Sequence, residues 1–69
     1  MIEINKTYCR KVRSFFRHAT VTRLDLMNNT VYYDLVDRGI DDKIVNVWPN
    51  QIQTITWFIV LYKEGICDD

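Results

Sequence analysis

The run Thr30-Val-Tyr-Tyr-Asp-Leu-Val-Asp37 constrains the fold of this chain more than any other segment. Val31, Tyr33 and Leu35 alternate with Tyr32, Asp34 and Val36, the period of two that belongs to a β-strand with unlike faces. Asn28-Asn29 precedes it, and asparagine tolerates the left-handed backbone that a tight hairpin turn requires. Arg38-Gly-Ile-Asp-Asp42 follows as a second turn, in which Gly39 is free to take a positive φ. The β-branched run ATVTRLDL at 19–26 lies on one side of this pair of turns, and KIVNVW at 43–48 on the other. KTYCRKV at 6–12 alternates weakly and suits a first strand at a sheet edge. These four runs predict a meander.

The segment after Trp48 reads two ways. Pro49-Asn50-Gln51 resembles a helix start, and Ile52, Ile55, Phe58, Ile59 and Tyr62 then fall at helical spacing, with Gly65 as a stop. The residue types in QTITWFIVLY are those of a strand. The spacing favours the helix. The expected fold class is therefore β-rich α+β, a strongly bent meander of about four strands with a C-terminal helix. An all-β five-stranded barrel is the alternative. Residues 1–69 make a single small domain, which buries only about 60% of the surface its unfolded chain exposes. Most of its nine aromatic residues must then be core, and Trp48 and Trp57 are expected there.

Charge is divided along the chain. Residues 1–23 carry six cations against Glu3, while residues 24–69 carry three cations against eight acids, for a formal net charge of +0. The cations concentrate in Cys9-Arg-Lys-Val-Arg-Ser-Phe-Phe-Arg-His-Ala-Thr20. Arginine beside phenylalanine suits a protein-docking hot spot and also a surface that stacks single-stranded bases. The candidate partner-binding residues are Arg10, Lys11, Arg13, Phe15, Phe16 and Arg17. Adjacent strand residues point oppositely, so Phe15 and Phe16 cannot serve one core face. An isoelectric point near 6.5 favours a protein partner over nucleic acid, whose binders are usually basic.

Little chemistry is available. One serine, Ser14, and one histidine, His18, have no third group to complete a triad. Cys9 or Cys67 with His18 would make a thiol–imidazole pair that nothing in the local sequence supports. Asp37, Asp41 and Asp42 lack the register of a calcium loop and read as a solvated acidic turn. No glycine-rich phosphate loop is present. The expectation is a non-enzymatic protein with no catalytic residues, no metal and no cofactor. The longest apolar run, Trp57–Tyr62, is far short of the roughly 20 residues that span a bilayer. MIEINKTY lacks the basic-then-apolar pattern of an export signal, so a cytoplasmic protein with free thiols is expected.

The run VYYDLVDRG…KIVNVWP with its apolar tail resembles small SH3-like or Tudor-like barrels, in particular short proteins of phages and prophages. The resemblance spans most of residues 6–62 and has no invariant motif. Tyr32-Tyr33-Asp34 is only a shadow of the aromatic run that lines proline-rich peptide grooves in SH3-like domains. What the resemblance implies is a small interaction protein, one that modulates or inhibits a host factor. Protein binding is the expected function, nucleic-acid binding through residues 9–20 the alternative. An unpaired edge strand leaves room for a homodimer.

Overall fold

The structure, a computed structural model, describes residues 2–63 and 65–67. Four antiparallel strands, β1 (Thr7–Val12), β2 (Phe15–Asp25), β3 (Thr30–Gly39) and β4 (Ile44–Thr54), precede one helix, α1 (Ile55–Leu61). The sheet order is β1-β2-β3-β4. It is the expected β-rich α+β meander, and its sheet is open, with β1 and β4 at opposite edges.

Turn chemistry follows the asparagines. Of the five non-glycine residues with positive φ among the described residues, Asn5, Asn29, Asp42 and Asn50 are the types that tolerate it, and Arg13 is not. Asn29 (φ 50) sits in the β2–β3 turn as expected. In the β3–β4 turn Asp42 (φ 68), not Gly39, takes the left-handed position. Gly39 matters instead for space, since a Cβ there would lie 3.1 Å from Asp41 Oδ1.

The region after Trp48 corrects the sequence reading. Pro49 does not start a helix, and residues 50–54 continue β4. Tyr33 pairs with Gln51 and Leu35 with Trp48, so Pro49 and Asn50 bulge opposite Asp34. Proline lacks the N–H that a ladder needs and is tolerated at such a bulge. Asn50, at φ 58, donates its backbone N–H to Asp34 Oδ1 at 2.9 Å. The helix begins five residues later, where Thr54 Oγ1 accepts from Trp57 N at 3.2 Å. The Asn28-Asn29 turn anchors that start, with Ile55 N donating to Asn29 O at 2.9 Å. The five-stranded alternative is thereby replaced by four strands and a helix.

One face of the sheet holds the core. Val31, Tyr33 and Leu35 are buried in the predicted phase, joined by Tyr8, Ala19 and Val21 from β1 and β2. From α1 and the turn after it, Phe58 and Tyr62 cover them. Phe58 is 0% exposed and meets Tyr8 and Tyr33 edge-on, at ring separations of 5.8 and 5.1 Å, and stacks on Tyr62 at 4.5 Å. Such pairs each contribute about 0.5–1.5 kcal/mol beyond their buried area. Ile52 and Ile59, assigned by spacing to the same apolar stripe, are exposed. So are Trp48 and Trp57, at 47% and 50%, which corrects their expected place in the core. Ile52 leaves the stripe because the helix starts after it, and the helix packs through Ile55, Phe58, Leu61 and Tyr62 rather than Ile59.

Past Tyr62 the chain turns at Gly65 (φ 89) and lies against β1. Cys67 N donates to Thr7 O at 2.9 Å and Cys9 N to Gly65 O at 3.4 Å. Cys9 and Cys67 form a disulfide with Cα atoms 5.5 Å apart. The expectation of free thiols is corrected: the sequence places the cysteines near opposite ends, but the return of the tail to β1 brings them together. No described helix is long and apolar enough to cross a membrane.

Phe58→Ala is expected to remove about 3–5 kcal/mol from a domain whose total stability is of order 3–10 kcal/mol by size. Urea unfolding followed by circular dichroism checks this. A loss below about 1 kcal/mol would contradict a core centred on that ring.

Candidate functional site

The seven-residue helix leaves one end of the inner sheet face without a helical cover, and polar groups occupy it. Continuing the alternation of β3 beyond Leu35 puts Asp37 on the core side, fully buried at 0% exposure. Arg17 lies directly opposite on β2. Its Nε and Nη2 donate to the two carboxylate oxygens at 2.9 and 3.1 Å, the paired fork that guanidinium and carboxylate favour. Trp48 of β4 donates Nε1–H to Asp37 Oδ2 at 3.4 Å. Asp37 is thus not part of a solvated acidic turn, because its strand phase turns it inward.

The Arg17 guanidinium, by hydrogen bonding, holds the Asp37 carboxyl below its ordinary range, against the opposing effect of burial. Arg17 is raised in turn by the same hydrogen bond. Around this pair, the Arg17 guanidinium sits 5.5 Å from the Phe15 ring centroid and Arg10 lies 5.8 Å from that of Tyr62. Arg10 Nε is shielded from water without a partner. Burial pushes the Tyr62 hydroxyl up to about 12.

The six residues singled out from the sequence divide between two faces. Arg10, Phe15 and Arg17 share the inner face, as the cross-strand pairs Arg10↔Arg17 and Val12↔Phe15 require. Lys11 and Phe16, also paired, point outward, with Phe16 40% exposed. Arg13 lies in the turn between β1 and β2. The stretch is therefore not one continuous surface. Trp48 and Asp37 join its inner half and were not singled out. Phase alone would have found Asp37, since residues 31, 33, 35 and 37 share a face and a buried carboxylate demands a cation.

The second feature is the edge of the sheet. β4 presents Ile44, Val45, Val47, Trp48 and Ile52 as exposed apolar side chains, and no residue between Ile44 and Thr54 is charged. Among the described residues no strand pairs with its outer side. The opposite edge, β1, is met by the tail through the Tyr8↔Ile66 bridge. Trp48 links the two features, sitting on the bare edge strand while bonded to the buried carboxylate.

The outer face holds a third group. Cys9 stands opposite His18 across β1 and β2, and Cys67 adjoins both. No family model, curated protein or solved structure matches the chain.

Asp37→Asn is expected to destabilise the fold by roughly 2–3 kcal/mol at neutral pH, the scale of a charged hydrogen bond lost beside a partly solvated partner. Because the folded carboxyl lies below its unfolded value, its contribution is present above about pH 4 and is lost as pH falls through the folded value. The variant should show a flatter acid limb in urea midpoints measured against pH. Equal midpoints for both proteins at every pH would contradict the assignment.

Proposed function

We propose that the protein is a non-enzymatic interaction module that captures an extended segment of a protein partner along β4. The observation that carries this reading is the bare β4 edge, uncharged over eleven residues and flanked by exposed apolar side chains. Soluble proteins usually blunt such an edge with charge or cover it. Strand addition would use its unpaired backbone groups for affinity and alternate side chains for specificity. Trp48, with Arg17 and Phe15 behind it, supplies the aromatic and arginine anchors typical of interface hot spots. Of the basic stretch, Arg17 connects to this edge through Asp37 and Trp48, whereas Arg10, on the opposite edge strand, and Lys11, Arg13 and Phe16 would not border the docked segment. Blocking a host factor, as the phage-type resemblance implies, is one form this capture would take. Nucleic-acid binding is the weaker reading because the six candidate residues do not share a face.

The test uses residues whose side chains are exposed. Val47→Lys and Ile52→Lys place charge on the edge strand, where it opposes pairing. Both are expected to abolish partner capture while leaving the circular dichroism spectrum and urea midpoint within about 0.5 kcal/mol of the parent. Arg13→Glu should leave capture unchanged. If sedimentation shows a dimer that Val47→Lys dissolves, the occupant of the edge is a second copy. Capture lost in Arg13→Glu and kept in Val47→Lys, with steep salt dependence, would replace this reading by a nucleic-acid grip.

A further inference from the structure

We propose that Cys9, His18 and Cys67, when the two cysteines are reduced, form a site for Zn²⁺ or a similarly soft divalent ion, and that the disulfide closes this site. Three elements position the ligands. The hairpin of β1 and β2 sets Cys9 directly across from His18. The tail brings Cys67 to the same place through its backbone bond to Thr7. One sulfur or ring-nitrogen atom from each residue lies within 4.8 Å of the other two. Zinc–sulfur and zinc–nitrogen bond lengths set tetrahedral donor separations of roughly 3.5–3.8 Å. Breaking the S–S bond frees both cysteine side chains to rotate, so that the sulfurs separate toward those distances.

An independent observation points to a ligand. His18 Nδ1 is shielded from water and bonded to nothing, although buried polar atoms are nearly always paired. An imidazole with an unpaired nitrogen, beside two sulfurs, has the donor set of a zinc site. Two thiolates balance the charge of the ion, and the neutral imidazole completes three protein ligands, which leaves the fourth position open. An open pocket of about 370 Å³ adjoins His18 and Cys67, walled by Thr7, Thr20, Val36, Arg38 and Asp42. It gives water or a small anion access to that position.

The redox step balances with a phosphine reductant. Phosphorus takes up the oxygen of one water and becomes the phosphine oxide, its electron pair cleaves the S–S bond, and the two protons of the water yield two thiols. Binding the ion then releases both thiol protons. Oxidation of the pair removes both thiolates together, so metal occupancy and disulfide exclude one another.

Co²⁺ serves as the probe, since tetrahedral thiolate coordination gives a sulfur-to-cobalt charge-transfer band and intense visible bands. Phosphine-reduced protein is expected to develop both at one equivalent, to lose them to Zn²⁺, and to show neither when oxidised. His18→Gln should weaken Co²⁺ binding at least about 10-fold. Zn²⁺ should raise the melting temperature of the reduced parent and not that of His18→Gln. Where reduction alone unfolds the chain, Zn²⁺ should restore the strand signal in circular dichroism. Absence of the charge-transfer band, equal affinity in His18→Gln, or a reduced chain that stays unfolded at saturating Zn²⁺ would each overturn the proposal.

Discussion

A seven-residue helix must serve a sheet whose strands run to eleven residues, and the rest of the molecule follows from that mismatch. At 1.5 Å per residue the helix is about 10 Å long, whereas β3 alone extends about 33 Å. The long axis of the molecule measures 39 Å. Phe58, the buried residue of the helix, therefore gathers Tyr8, Tyr33 and Tyr62 around one ring and dries only part of the inner face. Beyond its reach the sheet uses Arg17 and Asp37. A paired, hydrogen-bonded ion pair is what an interior can hold where apolar cover runs out, and removing either partner leaves the other uncompensated.

The same shortage of cover makes the two edges unequal. The tail, pinned by Cys67, shields β1 and closes a loop of sequence separation 58, a constraint worth about 4 kcal/mol on the chain-entropy account. Nothing comparable reaches β4 among the described residues. The edge protections seen among the described residues are the bulge at Pro49-Asn50 and a further irregularity opposite Asp37-Arg38, devices that bend an edge without charging it. The apolar side chains of that strand are what the interaction reading rests on. The cysteine pair and His18 sit on the outer face near the opposite edge, so the inferred metal chemistry is spatially separate from the proposed docking edge.

The strands were legible where alternation was strict. Val31, Tyr33 and Leu35 announce both the strand and its buried face, and Asn29 announces its turn. Asp37 was misread because its neighbours Asp41 and Asp42 suggested a loop, although it keeps the phase of β3. The start of the helix was misplaced because proline and a spacing of three to four residues carry no information about a bulge. Asn50 bonding to Asp34, sixteen residues away, is a tertiary event. Trp48 and Trp57 were expected inside on general hydrophobicity, but a fold with one short helix lacks the surface to cover both. Of the candidate site, the arginines and phenylalanines were legible as residue types. Their division between faces became visible only with the two-residue turn that sets the register of β1 and β2. That register also pairs Cys9 with His18, whereas the approach of Cys67 depends on the path of the tail.

The central claim is that one edge of the sheet is closed and the other open. Amide hydrogen exchange followed residue by residue, on oxidised protein dilute enough to be monomeric, tests it most directly. The account predicts slow exchange at Cys9 and Cys67, whose N–H groups bond across the β1 edge, and fast exchange at the β4 amides that point away from β3. Protection of those β4 amides in the monomer, equal to that of the strand interior, would contradict it.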